Sequence, residues 1–362
     1  MTTKSSQLVS KKPVVRGIDV GYGHVKLTLG RDRSNTIEAT SFPSQAPTAN
    51  DIDLHAEFLM RPDTFRVPVN GRLYEVGRQV NITMSSNQEL EQLDDQFPLS
   101  DGYTARLYGA LNYMMPGLGE EKEIDMLVLG LPMNTLTKHK KALEEKFRGE
   151  HEINTKGDRI KIANCKVHAQ PLGSYAYFVE DNPDLRDAPP MTLIVDPGYN
   201  TVDWFVCQGL VPNPGQSKAV NRGVSAYLRE VAKSINKAHS DYGVSETEIV
   251  RMLDRHLIGD ETFQLASDVI DLTPHWKAGD PVIEQACQAI RDSVGSGGNI
   301  RLILITGGGA KLYEQRIREK YPKHRVEVIA NSNLANVRGF HVIGQWTAAS
   351  AMRASTLASR GA

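Results

Sequence analysis

The stretch Ile18-Asp-Val-Gly-Tyr-Gly-His-Val-Lys26 returns, at a constant offset of 177, as Val195-Asp-Pro-Gly-Tyr-Asn-Thr-Val-Asp203. Asp19 pairs with Asp196, Gly21 with Gly198, Tyr22 with Tyr199 and Val25 with Val202. In each copy a β-branched run leads into a glycine-bearing turn and an alternating run leads out, the pattern of a strand hairpin. Internal repetition decides architecture before composition does. A chain that repeats this unit folds as two related halves. Its 362 residues, at about 150 per domain, leave room for a smaller part inserted in or appended to each half.

Between the copies, Phe65 to Val69 and Leu73 to Val76 read as short strands, while the rest of 43–100 shows no clear pattern. Helical periodicity covers Gly102 to Met115, a buried strand Asp125 to Leu131, and a charged helix about Thr137 to Phe147. One strand is expected over Arg159 to Val167 and a helix over Pro171 to Val179. The polar, Pro-rich segment Glu180 to Pro190 is the best linker, and a hinge is expected there. After the second copy come helices at Val224 to Ala238 and Glu246 to His256, mixed sequence to Gln288, and a loop over Arg291 to Asn299. An apolar strand, Ile300 to Thr306, then runs through Gly307-Gly308-Gly309 into a helix at Ala310 to Tyr321. Ala335 to Ala349 has small residues at helical spacing and is expected to pack back on the first half. The domains are therefore 13–180 with 335–355, carrying an insertion at about 35–100, and 191–334, carrying an insertion at about 225–290.

Charge narrows the function. There are 42 Lys and Arg against 43 Asp and Glu, so no overall field draws the chain to nucleic acid or to an anionic membrane. The one basic stretch, Lys4 to Lys12, reads as a solvated terminus. No apolar run approaches the roughly 18 residues that span a bilayer. Cys165, Cys207 and Cys287 are too scattered for a disulfide framework or a zinc site and read as buried thiols in a reducing cytoplasm. The N-terminus lacks the apolar core of a signal peptide.

Asp19-Val-Gly-Tyr-Gly sets a carboxylate at the end of a buried strand and glycines in the turn after it. Successive turn N–H groups can cradle phosphate oxygens, and Lys26 on the return strand could reach one. Alone, the pattern is equally that of a plain hairpin. Asp196-Pro-Gly-Tyr-Asn-Thr offers the same geometry from the other half, so two loops could close on one polyphosphate, with Asp19 and Asp196 facing a common Mg²⁺. Asp203 stands where the first copy has Lys26, so the loops are not electrostatically equivalent. The glycine triplet 307–309 would let a flat base or sugar lie against the chain at a helix start. There is no P-loop, no complete dinucleotide fingerprint, no G-x-S-x-G and no H-E-x-x-H. His168, His256 and His324 read as surface or capping residues.

The three loops in this order resemble the nucleotide site of the actin, Hsp70 and sugar-kinase superfamily. More narrowly, Gly17 to Lys26, Gln170 to Tyr177, Val195 to Asp203, Thr306 to Ala310 and Ala335 to Phe340 resemble motifs of the plasmid-segregation ParM/StbA group of bacterial actin-like proteins. The resemblance runs from about Val14 to Gly344. It implies an α/β, actin-like (ribonuclease H-like) duplicated fold with a nucleotide cleft between the halves, taking ATP or ADP with Mg²⁺. Asp19, Gly21, Tyr22, Gly23 and Lys26 match phosphate loop 1. Asp196, Gly198, Tyr199, Asn200 and Thr201 match phosphate loop 2, and Gly307, Gly308 and Gly309 match the adenosine loop. Gln170 matches the residue that orients the attacking water, with Asp19 and Asp196 on the catalytic, metal side. Arg255 is placed near the ribose and base. Tyr199-Asn200 departs from the family's commoner Gly-Gly pair.

The function implied is an ATPase that polymerises with ATP, falls apart on hydrolysis, and moves plasmid DNA through an adaptor bound to a centromere-like DNA site. Its near-neutral charge fits an indirect link to DNA. A small-molecule kinase of the same superfamily would need a carboxylate base beside an acceptor hydroxyl, for which no residue aligns. A chaperone-like ATPase would need a substrate-binding segment, for which the residues past Gln345 leave no room.

Overall fold

The computed structural model describes residues 12–49, 61–83, 95–254 and 259–360. In chain order the first half contains β1 (Val15–Val20), β2 (His24–Arg31), β3 (Ile37–Pro43), β4 (Phe65–Val69), β5 (Arg72–Val76), α1 (Val80–Thr83), α2 (Asp101–Met114), β6 (Glu123–Ile124), β7 (Met126–Leu131), α3 (Met133–Lys146), β8 (Gly149–Glu152), β9 (Arg159–Ile162), β10 (Cys165–Ala169), α4 (Gln170–Glu180) and α5 (Pro183–Asp187). The second continues with β11 (Met191–Pro197), β12 (Val202–Gln208), β13 (Val211–Pro212), β14 (Lys218–Val220), α6 (Val224–Ala238), α7 (Glu246–Leu253), β15 (Thr262–Leu265), β16 (Asp268–Asp271), α8 (Asp280–Val294), β17 (Leu302–Ile305), α9 (Ala310–Lys320), β18 (Arg325–Val328) and α10 (Ser332–Arg360).

Both main sheets follow one plan. The first has the order β10-β7-β1-β2-β3 and the second β13-β12-β11-β17-β18, with β14 on β12. In each, the repeated hairpin is antiparallel and its first strand is flanked by a parallel strand, β7 in one case and β17 in the other. The register carries the repeat to the residue: Asp19 lies opposite Lys26, and Asp196 opposite Asp203. The sequence repeat is therefore a structural duplication, and the two-domain α/β architecture is the one the resemblance implies.

Four sequence expectations need correction. The run Arg159 to Val167 is two strands in different sheets, since β9 pairs with β8 whereas β10 pairs with β7. The loop expected over 291–299 begins inside α8, whose buried stripe Ile283, Cys287, Ile290 and Val294 keeps helical spacing past the polar Arg291-Asp292. The helix expected from Thr137 starts at Met133, because its first N–H, that of Met133, is met by Asp203 from the other half. Strand β3, inside the segment expected as an insertion, belongs to the main sheet.

Helices α4 and α10 lie between the sheets. Tyr175 and Val179 of α4 and Ala335 of α10 pack with Ile194, Phe205 and Leu304 of the second sheet. Ala176, Val337 and Phe340 pack with Val15 and Val128 of the first. The fully buried Phe340 ring fills a socket floored by glycines: a Cβ on Gly130 would stand 2.4 Å from the ring, and one on Gly173 2.7 Å. No helix among the described residues is long and apolar enough to cross a membrane, and the three cysteines are free and buried.

Candidate functional site

The repeated hairpins present their turns toward each other. A Cβ on Gly23 would lie 2.9 Å from the Tyr199 ring, so the tip of the first loop rests on the aromatic residue of the second. Beside this contact opens a cleft of about 740 Å³, lined from one half by Tyr22, Gly23 and Arg106 and from the other by Tyr199, Asn200 and Arg229. That volume lies within the ~300–1,000 Å³ usual for small-molecule sites.

At the inner end of the first loop, Asp19 is fully buried at the close of β1. Lys26 Nζ stands 3.1 Å from one of its oxygens, and Gln170 Nε2, from the first residue of α4, donates to the other at 2.6 Å. The three residues are thus brought together, and the ammonium meets the carboxylate. Burial pulls the Lys26 pKa down, but the charges of Asp19 and Asp196 and the hydrogen bond to Asp19 outweigh it and hold the ammonium above its ordinary range.

The second carboxylate is held differently. Asp196 Oδ2 accepts from Asn336 Nδ2 at 2.6 Å, and its Oδ1 packs on Gly307, whose φ of 78° only glycine adopts easily. Burial drives the Asp196 carboxyl up to about 6, against the opposing pull of Asn336 and Lys26. Asp203 takes the Met133 N–H at 2.9 Å and the Thr201 hydroxyl at 2.7 Å. Its burial, with the nearby charges of Asp196 and Asp19 adding, raises it to about 7 despite those bonds.

The remaining expected residues fall into two groups. Gly198, Tyr199 and Asn200 are pinned by the start of α6: Val224 N donates to Gly198 O, Ser225 N to Tyr199 O and Gly223 N to Asn200 O. Thr201 turns its hydroxyl to Asp203 and away from the opposite loop. Gly307 and Gly309 are tied to Ser332 and Pro197, whereas a side chain on Gly308 would meet open space. Gly21 packs on the His24 carbonyl. Arg255 and His256 lie outside the described residues, as does most of the Lys4 to Lys12 tail. His168 is half-buried in β10, where burial lowers its imidazole to about 4.

Two families match the chain. The one described as actin like proteins N terminal domain covers residues 17–173, and the one described as archaeal actin homologue MreB-like, C-terminal, covers 194–319. The chain belongs to the actin-like proteins. Among solved structures it is similar to a ParM from a 15-stranded filament of Clostridium botulinum, with TM-score 0.70 and 20% identity over 93% of this chain and 100% of that one. It is also similar to apo pSK41 ParM, with TM-score 0.65 and 19% identity over 94% and 99%. The archaeal actin homologue Ta0583 in complex with ADP aligns with TM-score 0.68 and 18% identity over 91% and 98%. At such identities the likeness is one of fold. No curated protein matches the sequence significantly.

Sequence reasoning assigned no role to Asn336 and Ser174. Asn336 sits between Ala335 and Val337 in a buried run, and a polar residue there was the available signal.

Proposed function

We propose that this actin-like protein is an ATP hydrolase that assembles into filaments with ATP and disassembles after hydrolysis. The observation that carries this reading is the convergence of Lys26 and Gln170 on Asp19, directly behind a loop that faces its own duplicate. Actin-like ATPase families and ParM filament structures among the neighbours support it.

Gln170 is the residue suited to place the attacking water. Its Nε2 is spent on Asp19, which fixes the amide and leaves Oε1 as an acceptor for a water proton. A neutral amide orients water without taking its proton, and phosphoryl transfer asks chiefly for positioning and electrostatics. Lys26 supplies a cation beside the phosphate path.

Mg²⁺ fits the donor set only through its own waters. Both Asp19 oxygens and one of Asp196 already have protein partners, and no cluster of three or more His, Cys, Asp or Glu among the described residues is arranged to hold an ion. A hydrated ion between Asp19 and Asp196 agrees with this, and it would neutralise charge developing on the phosphate oxygens. Segregation of plasmid DNA through an adaptor, in the cytoplasm, completes the reading and rests on the ParM resemblance.

Sedimentation and light scattering with ATP, with ADP and without nucleotide test the proposal. Polymer forms with ATP and decays as phosphate is released. A protein that stays monomeric well into the micromolar range in all three conditions refutes it. Asp196→Ala should fold and lose turnover by orders of magnitude; unchanged turnover removes Asp196 from the site.

A further inference from the structure

We propose that Asn336 is a positioning residue that sets Asp196 for Mg²⁺-nucleotide and makes that setting depend on how the two halves of the molecule meet. The inference rests on the reading of Asp19 and Asp196 as the nucleotide site.

Asn336 lies on α10 and is 4% exposed. Its Nδ2 donates to Asp196 Oδ2 at 2.6 Å across 140 residues of sequence. Its Oδ1 accepts from Ser174 Oγ of α4 at 2.5 Å, and Ser174 Oγ is 2.6 Å from Thr306 Oγ1 at the end of β17. The proton count fixes the direction of this chain. A carboxylate oxygen accepts, so the amide turns Nδ2 to Asp196 and Oδ1 to Ser174. Ser174 spends its one proton on Asn336, so the 2.6 Å contact needs the Thr306 proton, which goes to Ser174 in preference to the Ser332 carbonyl at 3.3 Å. The result runs Thr306 to Ser174 to Asn336 to Asp196, each bond polarising the next in a buried, low-dielectric place.

The chain crosses between the halves twice, at its first and last links. Thr306 and Asp196 belong to the second, Ser174 and Asn336 to the first, so a rotation of one half against the other must break or re-aim the chain. The same helix also holds the glycine loop: Ser332 Oγ donates to Gly307 O at 2.9 Å, and Gly307 N to Ser332 O at 3.1 Å. Two residues of α10, Ser332 and Asn336, one turn apart, therefore tie the second carboxylate and the third loop together. One turn further on, Phe340 locks the helix into its glycine socket on the first sheet. Packing alone would be served by an apolar residue at 336. The amide, bonded at both its nitrogen and its oxygen, instead fixes which way the carboxylate points.

Partners of this kind, one step removed from a metal, commonly change metal affinity by about 10–100-fold when removed. Asn336→Leu keeps the volume and removes both bonds, whereas Ser174→Ala keeps the bond to Asp196 and cuts the link behind it. The assay is equilibrium binding of a fluorescent ADP analogue, with Mg²⁺ and with EDTA, beside kcat and KM for ATP and a thermal melt. In Asn336→Leu we expect Mg²⁺-dependent affinity and kcat each to fall at least about 10-fold. Affinity in EDTA should stay within about 3-fold, because the residue acts through Asp196 on the Mg²⁺ side, while KM for Mg·ATP should rise with the lost affinity. Ser174→Ala should show the same selective loss at smaller size. A folded Asn336→Leu protein with wild-type Mg²⁺ dependence and kcat overturns the proposal. Should that variant not fold, Ser174→Ala with unchanged Mg²⁺ dependence overturns it. A loss equal in EDTA and Mg²⁺ assigns Asn336 to packing and overturns it as well. Wild-type protein that binds no adenine nucleotide refutes instead the underlying reading of the site, and this inference with it.

Discussion

Replacing Asp203 by Asn removes a charge from the position that Lys26 holds in the first copy of the repeat. The carboxyl is 2% exposed and raised to about 7 by burial and by the charges of Asp196 and Asp19. In an unfolded chain it titrates near 3.9. Between these values the folded protein binds a proton that the unfolded chain has lost, so stability falls as pH rises through this window. At about 1.36 kcal/mol per pKa unit, burying Asp203 costs the fold about 4 kcal/mol above pH 8, where it is ionised, and about 1–2 kcal/mol at pH 5, where it must hold a proton the unfolded chain has lost.

Asn keeps the local bonds. Its Oδ1 accepts from Met133 N, and its Nδ2 donates to Thr201 Oγ1, the atoms now paired with Asp203. The stability of Asp203→Asn relative to wild type should therefore climb by about 2–3 kcal/mol between pH 5 and 8. Urea unfolding of both proteins, free of nucleotide, at four pH values reads this as a widening gap in midpoint at constant slope. A flat gap refutes the argument. A gap that narrows with pH would mean that the positive N-terminal end of α3, where Met133 begins the helix, favours the charged form more than burial disfavours it.

Two further outcomes follow from the packing. Gly339→Ala would place a Cβ 1.6 Å from the Gly173 carbonyl oxygen, backbone against backbone between α10 and α4, and should cost at least about 3 kcal/mol; Gly308→Ala, which meets open space, should stay within about 0.5 kcal/mol. Urea unfolding of both variants checks the pair, and a mild effect at Gly339 means that the helices can separate. Tyr199→Gly removes the ring that rests on Gly23 and should speed association of a fluorescent ADP analogue in stopped flow, while an unchanged rate takes that ring out of the nucleotide's way in.

The repeat made the architecture legible because one hairpin, copied, fixes both strand register and sheet order. Asp19, Lys26 and Asp196 were readable for the same reason: each ends or follows a buried strand beside a glycine turn. Two features that escaped share a cause, namely that the partner is far along the chain. Met133 starts α3 because Asp203, 70 residues away, receives its N–H. Asn336 reaches Asp196 because Phe340 finds Gly17, Gly130 and Gly173, from β1, β7 and α4. The break at Ala163-Asn164 was missed since local apolar alternation continues across it while the strand changes sheets. Arg291-Asp292 looked like a loop because the exposed face of an amphipathic helix is polar wherever it is sampled briefly.

The second copy of the repeat has lost its lysine and gained a reach across the cleft. In the first copy Lys26 closes a charge pair inside its own hairpin. In the second, Asp203 turns to the first turn of α3, Asp196 to α10, and Thr306, beside the third loop, to α4. All three contacts run from the second half to helices of the first. An anion entering from the first half meets a cation, whereas on the second side it meets carboxyls whose burial already favours the protonated form. Positive charge arriving there, as a hydrated cation carried by a polyphosphate, would reverse that preference and strengthen the Asp203 and Asp196 contacts, in which the carboxylate accepts. Ligand and closure would then favour each other, and by linkage to the same degree.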